Sequence, residues 1–361
     1  MEREEIAGLR LINQKISGSR TDKPEEVVSS LGAMQAQAYQ DALWGIGLRC
    51  RHAAKRDVEE AISEKRIIRT WAMRGTWHFV PPTEVRWMLS LYPEENRIPS
   101  YQRKHGLTEP ILRKGLSVIS RAFNYKEILS YKELGMALAD SGVSELRNID
   151  VQRHIIRRAG RKGIICFASH ICGKPAFMLL EKSVPSQSAL SRDLILARLA
   201  KVYFESHGPA TLDDFSWWAG IKKTDAKTGV DFVAAELRTE VIDENTYWMP
   251  KGLPRRKSAG AQMDAYLLPA FDEYLIAYKD RRAIIEEKNL KKVINGSTLQ
   301  FLPIIVIGGR VVGTWKRTTR PDKEEIILKP FNKLSSAQGE ALSAAAARYA
   351  SFIGKKTVLS K

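Results

Sequence analysis

An α+β fold is predicted for this chain of 361 residues: three similar helical units, then a β-rich region and a terminal helix. Three observations lead to this prediction. An order of three amphipathic segments and two short apolar runs recurs three times before residue 250. Residues 251–361 instead contain several strand-like stretches. Basic residues also exceed acidic ones along the whole length.

The third repeat shows the pattern most clearly. Residues 190–206 have apolar side chains at helical spacing, and a His-Gly-Pro turn follows them. Thr211 caps a short second helix in residues 211–220, with an acidic residue at the capping-box position. A third amphipathic segment, 224–237, precedes two short strands joined by Glu244-Asn245. Three helices and a hairpin form a winged helix, which is a helix-turn-helix with a wing.

The same order occurs twice upstream. In residues 110–182, three helical segments precede the strands IICFA and AFMLLE, and in the first repeat the strands IIRTW and GTWHFV flank Arg74-Gly75. The prediction is therefore three tandem winged-helix units and a C-terminal region, with these bounds: winged helix 1 in 1–91, a linking helix and winged helix 2 in 92–183, winged helix 3 in 184–250, and the β-rich region with its terminal helix in 251–361. The alternative is a generic α+β protein without repeated units.

The C-terminal region is predicted to form a small sheet or barrel. The segment FLPIIVIGGRVVGTWKRT has the pattern of a hairpin, in which Gly308-Gly309 supplies the positive φ angles of the turn. EEIILKP is a further strand, and the Ala-rich residues 336–354 form an amphipathic helix.

The charge balance points to a polyanionic partner. The chain carries 58 Lys and Arg against 41 Asp and Glu, a net charge of +17. Residues 1–180 hold 29 basic and 20 acidic residues, and residues 181–361 hold 29 and 21, so the excess is not confined to a tail. A basic surface spread over several domains suits double-stranded DNA. A basic enzyme with no nucleic-acid partner is the alternative.

Several classes of protein are not expected. The start MEREEIAGLR lacks the basic and apolar segments of a signal peptide, and no apolar run approaches the ~20 residues of a membrane span. The three cysteines, Cys50, Cys166 and Cys172, are odd in number and lack zinc spacing, so neither a disulfide framework nor a metal is expected. We expect a cytoplasmic, nucleoid-associated monomer with no cofactor, no membrane association and no obligate protein partner.

A stripe of arginines is the main predicted DNA contact. Arg153, Arg157 and Arg161 recur every four residues on the third helix of the second repeat, with Arg158 and Lys162 beside them. An arginine-rich helix face in a helix-turn-helix is typical of phosphate binding, although a solvated charged face is the alternative. Secondary candidates are Arg255, Arg256 and Lys257 in a Pro/Gly-containing loop, and Lys316 and Arg317 in the last hairpin.

A short motif suggests the chemistry. Gln35 and Gln37 lie at the end of the second helix of the first repeat, which is predicted over residues 24–35, within VVSSLGAMQAQAYQDALWGIGLRC. Together with RTWAMRGTWHFV, LLPAFDEYLIAYKDRR and RVVGTWK, this segment resembles the AlkZ/YcaQ family of winged-helix DNA glycosylases. The AlkZ-like branch has Gln-x-Gln at this place, whereas the YcaQ branch has Asp as the second residue. The likeness covers nearly the whole chain.

The resemblance implies three winged helices in a C-shaped arrangement with a β-barrel, lining a concave DNA channel. It also implies excision of N7-alkylated purines, which are alkylation damage, and unhooking of interstrand cross-links in some members, with Gln35 and Gln37 as catalytic residues. Two neutral amides can hold the attacking water and direct carbonyl dipoles toward developing positive charge. Side chains at i and i+2 share one side only on extended backbone, so the helix must stop near Met34. Two polar residues that merely close a helix are the alternative.

Other candidate residues are weaker. Arg74 and His78 are candidates for lining the channel, although a hydrogen-bonded strand histidine is the more ordinary interpretation of His78. A carboxylate or metal site at Asp272-Glu273 and Asp280 is less favoured than a buried Asp–Arg pair that braces the barrel, in the segment that contains Asp272, Asp280 and Arg281. Trp217 and Trp218 lie on a short amphipathic helix, where such a pair is more often part of the core than a platform for base stacking.

Two classes of function remain open on the sequence. One is a monofunctional DNA glycosylase that uses Gln35 and Gln37. The other is a non-catalytic DNA-binding protein, such as a regulator or lesion-binding scaffold, that uses the same basic surface. Regulators usually dimerise to match palindromic sites, and the chain shows no heptad pattern for a dimer helix. Release of free base from methylated DNA separates the two.

Overall fold

The structure, a computed structural model, describes residues 3–92, 100–171, 173–184, 186–253, 264–295, 300–319 and 323–360. The helices are α1 Arg3–Asn13, α2 Pro24–Leu31, α3 Tyr39–Gly47, α4 Lys55–Ser63, α5 Val85–Ser90, α6 Ser100–Lys104, α7 Glu109–Ala122, α8 Tyr131–Ala139, α9 Ile149–Arg161, α10 Arg192–His207, α11 Leu212–Ala219, α12 Lys223–Val233, α13 Glu273–Ile276, α14 Glu287–Val293 and α15 Ser336–Ile353. The strands are β1 Met34–Gln35, β2 Ile68–Thr70, β3 His78–Val80, β4 Leu129–Ser130, β5 Ile165–Ile171, β6 Lys174–Leu179, β7 Leu237–Ile242, β8 Asn245–Pro250, β9 Ala265–Leu268, β10 Ile294–Asn295, β11 Gln300–Phe301, β12 Ile304–Ile307, β13 Arg310–Thr319, β14 Lys323–Pro330 and β15 Lys356–Ser360. The predicted α+β class is confirmed.

The chain folds as two compact units. The first combines Met1–Glu60 with Asp193–Lys361, and the second is Ala61–Arg192. The predicted boundaries at residues 91, 183 and 250 stay a prediction. None of the described helices is long and apolar enough to cross a membrane.

The second unit contains the element order predicted for the second repeat. Helices α7, α8 and α9 pack on one another and lead into the antiparallel hairpin β5–β6, to which the short strand β4 adds an edge. Local sequence explains the helix starts. Ser130 and Glu133 form a capping box at α8, and the Asn148 side chain accepts from two backbone N–H groups at the start of α9. These caps satisfy donors that the first turn of a helix leaves unpaired.

The third repeat lies within the first unit. Thr211 and Asp214 form the predicted capping box at α11, and Gly220 ends that helix with a positive φ of 67°. Helices α10, α11 and α12 precede the antiparallel hairpin β7–β8, as expected. Trp218 is completely buried in this core, which confirms the packing role favoured for it.

The first repeat departs from the prediction. The second helix was expected to include residues 24–35, but α2 ends at Leu31. A fourth helix that the sequence analysis did not place, α3, begins at Tyr39. Gly32 causes the break, because its φ of 75° is unfavourable for any residue with a Cβ. A Cβ there would also lie 2.8 Å from the Val202 side chain.

The C-terminal region forms a five-stranded sheet in the order β15-β14-β13-β12-β9. Its pairs are antiparallel except for β14 with β15, which is parallel. Gly308 and Gly309 turn the β12–β13 hairpin with φ angles of 56° and 85°, as predicted. The terminal helix α15 packs on β9 and buries Leu342 and Tyr349. The β-rich region with a docked terminal helix is therefore confirmed.

The contact between α3 and α15 provides a packing test. A Cβ on Gly47 would lie 2.2 Å from the ring of Phe352, whereas a Cβ on Gly339 in α15 would meet nothing within 4 Å. We expect Gly47→Ala to lower the free energy of unfolding by about 1–3 kcal/mol through overpacking. Gly339→Ala, the matched control, should raise it by up to about 1 kcal/mol because Ala favours the helix. Urea unfolding followed by circular dichroism measures both. Equal effects of the two variants would contradict the packing shown by the structure.

Candidate active site

Gln35 and Gln37 lie on non-helical backbone between two helices. Helix α2 ends before Gly32, Met34–Gln35 is extended, and α3 begins only at Tyr39. The predicted condition for both amides to reach one water, a helix that stops near Met34, is therefore met. Gln37 is exposed and Gln35 is half-buried.

The Gln35 side chain has a free acceptor. Its Oε1 is buried from solvent and has no hydrogen-bond partner within the described part of the chain. Buried amide oxygens are rarely unpaired in native proteins, so such an atom calls for a water or a substrate group. The backbone N–H of the same residue is engaged instead, and donates to Glu273 Oε1 over 2.8 Å.

Glu273 is a buried carboxylate beneath the glutamine segment. Glu273 is only 2% exposed. The second oxygen of its side chain, Oε2, accepts a hydrogen bond from the indole Nε1 of Trp218 over 3.0 Å. His207 Nε2 lies 3.6 Å from the same oxygen. Burial lowers the pKa of His207, so this imidazole is neutral at pH 7.

A buried ion pair fixes the helix that carries Glu273. Asp272 accepts two bonds from Arg49, at 2.8 and 2.9 Å, and also caps α13 by accepting from Tyr274 N–H. Arg49 donates further to the backbone oxygen of Gln14 and that of Gly45. With a further bond to the Gln14 side chain, each N–H of the Arg49 guanidinium has an acceptor. These bonds offset the cost of burying both charges.

The predicted Asp–Arg pair therefore exists with a different arginine. The partner was expected in the segment that contains Asp272, Asp280 and Arg281, but Asp272 pairs with Arg49. Arg281 instead donates to the Leu275 carbonyl and lies over the Trp217 ring, and Asp280 pairs with Arg282. Arg49 was assigned no function from the sequence, and Glu273 was named only in the less favoured carboxylate or metal site. A carboxylate and an arginine flanked by apolar residues, in AFDEYLIAY and WGIGLRC, are the signals that point to burial.

The basic residues of the last hairpin divide into two environments. Lys316 is exposed on β13. Arg317 is half-buried and donates to both oxygens of Asp41 in α3, at 3.2 and 3.3 Å. Arg317 thus connects the sheet to the helix that follows the glutamine motif, and Lys316 remains available to a ligand.

The arginine stripe of α9 lies in the second unit. Arg153, Arg157 and Lys162 are exposed and Arg161 is half-buried. Arg158 is only 6% exposed, and its guanidinium faces Glu109 of α7 at 3.8 Å. The structure therefore places Arg158 in the packing between helices, although it was grouped with the DNA-binding residues.

His154 lies on the same helix as these arginines. It stacks on Tyr101 at 5.1 Å between ring centroids and lies 3.3 Å from the Gln102 amide. Burial, together with the charges of Arg158, Arg157 and Arg161, lowers the pKa of His154 to about 4.

The remaining candidates are more scattered. Arg74 adopts a positive φ of 52° in the turn before Gly75. His78 is completely buried and its Nδ1 lies 2.9 Å from the Thr76 carbonyl, which fits the hydrogen-bonded strand histidine rather than a channel-lining one. The loop with Arg255, Arg256 and Lys257 lies outside the described residues.

Comparison with known proteins decides the family. The family model "DNA glycosylase AlkZ-like" matches residues 28–352. The chain belongs to the AlkZ-like DNA glycosylases. It is 21% identical over 342 residues to an interstrand DNA cross-link repair glycosylase of Streptomyces sahachiroi, covering 91% of this chain and 90% of the relative. The solved structure of the DNA glycosylase AlkZ from the same organism superimposes with a TM-score of 0.81 at 19% identity, over 99% of each chain.

Membership of this family makes the chain an enzyme, a DNA glycosylase, and removes the support for a purely regulatory protein. In the described parts of this AlkZ-like glycosylase, no group of three His, Cys, Asp or Glu side chains could hold a metal ion.

The pKa of His154 predicts a pH dependence of stability. An unfolded histidine titrates near 6.5, whereas His154 stays neutral in the folded protein down to a pKa of about 4. Between these values the unfolded state binds the additional proton, so stability falls as the pH falls from about 6.5 to about 4. We expect His154→Gln to lose less unfolding free energy than the unchanged protein between pH 7.5 and pH 5. Urea unfolding at both pH values measures this, and an equal or larger loss in the variant would contradict it.

Proposed function

We propose that this glycosylase excises N7-alkylated purines from double-stranded DNA and unhooks interstrand cross-links formed through such purines. Gln35 and Gln37 are the proposed catalytic residues. The observation that carries the proposal is the helix break at Gly32, which places both amides on non-helical backbone and leaves Gln35 Oε1 without a partner among the described residues. The similarity to a cross-link repair glycosylase supports the substrate class.

The proposed reaction needs little acid catalysis. An N7-alkylated purine is cationic, so its glycosidic bond is already weakened. A water oxygen bonds to C1′ while the C1′–N9 bond breaks, and the electron pair leaves with the base and neutralises it. The surplus proton of the water passes to solvent. The amide oxygens hold the water and stabilise the positive charge on the sugar.

The DNA-binding surface is proposed from the charge pattern. The second and third repeats have the order of three helices and a hairpin that a winged helix requires, and we propose winged-helix units throughout the first 250 residues. Exposed arginines on α9, together with Lys316, are the proposed phosphate contacts. The same DNA contacts would associate the protein with the nucleoid in the cytoplasm.

The catalytic assignment is tested with Gln37→Ala. On duplex DNA containing 7-methylguanine, we expect the single-turnover rate of base release to fall on the order of 10²-fold, because one group that stabilises the transition state is lost. Binding of the same DNA should change little. Gln40→Ala is the matched control, since Gln40 is an exposed glutamine on helical backbone three residues further along.

Excision by Gln37→Ala at the rate of the unchanged protein would remove Gln37 from the mechanism. The same variants should be assayed on a duplex cross-linked through guanine N7 by a nitrogen mustard. Loss of unhooking together with loss of 7-methylguanine release supports one site for both reactions. Release of 7-methylguanine without any unhooking by the unchanged protein would contradict the cross-link part of the proposal.

The phosphate contacts are tested by salt dependence. We expect Arg153→Ala and Arg157→Ala each to weaken binding of lesion-free duplexes of any sequence. Each should also reduce the slope of log K against log salt by about 1. Arg121→Ala, which removes an exposed charge from α7 in the same unit, is the control. If all three variants bind alike, the stripe is only a solvated surface.

A further inference from the structure

We propose that Glu273 is a positioning residue for base excision, which holds the main chain of Gln35 so that its side-chain amide meets the attacking water. This inference rests on the proposed function of Gln35. It assigns a role to a residue that lies 238 positions away in the sequence.

The hydrogen bond from Gln35 to Glu273 is short and buried. Glu273 Oε1 accepts the Gln35 backbone N–H over 2.8 Å, and Glu273 is only 2% exposed. Water therefore does not compete for this bond, and inside a protein a hydrogen bond is electrostatically stronger than in water. Gln35 lies three residues beyond Gly32, where α2 has ended, so its N–H has no helical carbonyl to bind. The carboxylate takes the place of that carbonyl.

The Gln35 side chain itself offers no comparable restraint. Its Oε1 has no hydrogen-bond partner among the described residues, and the segment between α2 and α3 contains only residues 32–38. The bond to Glu273 therefore holds Gln35 at its main chain, from which the side-chain amide extends. A displacement of about 1 Å at a reacting centre can cost about 10²-fold in rate, which makes a fixed main chain valuable here.

The carboxylate is in turn held from behind. Trp218 Nε1 donates to Oε2 over 3.0 Å, and the neutral His207 lies 3.6 Å from the same oxygen. The α13 helix that carries Glu273 is capped by Asp272, which is held by Arg49. Glu273 thus has one oxygen for the core and one for the catalytic segment, and the two functions can be separated by mutation.

The experiment uses the full chain and compares Glu273→Gln with Tyr203→Phe. Glutamine has the size of glutamate, but only one of its two terminal atoms is an acceptor, so the bonds from Gln35 and Trp218 cannot both be kept in the same geometry. Tyr203 donates to the Ala277 carbonyl at the end of α13 over 3.0 Å, so its replacement weakens the same core and leaves both Glu273 oxygens with their donors. We expect Glu273→Gln to lower the single-turnover rate of 7-methylguanine release by about 10- to 100-fold with little change in the Kd for the lesion duplex. Tyr203→Phe should lower the thermal midpoint and leave the rate within about threefold.

Two results would overturn the inference: an unchanged rate in Glu273→Gln, or an equal loss of rate in both variants, which indicates general loosening of the core. If Glu273→Gln does not fold, Glu273→Asp takes its place. It keeps the charge and withdraws the oxygens by one methylene, and the same rate loss is expected.

A double mutant separates this inference from the proposed function. If Glu273 acts through Gln35, adding Glu273→Gln to Gln35→Ala should lower the rate no further than Gln35→Ala alone. Full additivity would contradict action through Gln35. A normal rate in Gln35→Ala would instead show that the proposed function of Gln35 is wrong. A slow Gln35→Ala with a normal Glu273→Gln would refute only the positioning role.

Discussion

The buried ion pair between Arg49 and Asp272 is the interaction on which the rest of the first unit depends. Both residues are buried, and the pair joins the end of α3 to the start of α13 across 223 positions of sequence. Removing one partner of such a pair typically costs about 3–5 kcal/mol, because a charge is left buried alone. Here the geometry has a further consequence: the same contact sets the position of Glu273, and through it that of Gln35. The stability of the first unit and the arrangement of the segment with Gln35 therefore depend on the same ion pair.

The helix break at Gly32 is the second constraint, and it is local. Any residue with a Cβ would be strained at this φ and would also collide with Val202, so glycine is what allows the chain to leave the helical path here. The departure frees the N–H of Gln35 from the helix and makes it available to Glu273. The backbone N–H of Gln35 therefore depends on both features: the helix break at Gly32 leaves it without a helical acceptor, and Glu273 supplies the acceptor.

These two constraints explain how much the sequence could predict. The caps of α8 and α11, the Gly308-Gly309 turn and the terminal helix were predictable, since each depends on residues within one or two turns of the chain. The extra helix α3 was missed because its segment, with three glycines or alanines among its apolar residues, has no clear helical stripe. Arg49 was missed, and the contact of Glu273 with Gln35 was not foreseen, because a charged residue is exposed by default and its partner here lies more than 200 residues away. Arg158 was grouped with the exposed stripe for the same reason.

The distribution of charge fits the proposed reaction, in which a cationic base leaves the DNA. Affinity for DNA has to come from cations that contact phosphate, and exposed Arg153 and Arg157 are available for this. A cation beside the scissile bond would oppose both a positively charged purine and the positive charge that develops on the sugar. The groups around Gln35 agree with this requirement: the glutamines are neutral, burial keeps His207 uncharged, and the charge of Arg49 is matched by Asp272. A glutamate side chain can hold such a segment without placing a cation beside the lesion, and Glu273 does so by accepting the Gln35 N–H.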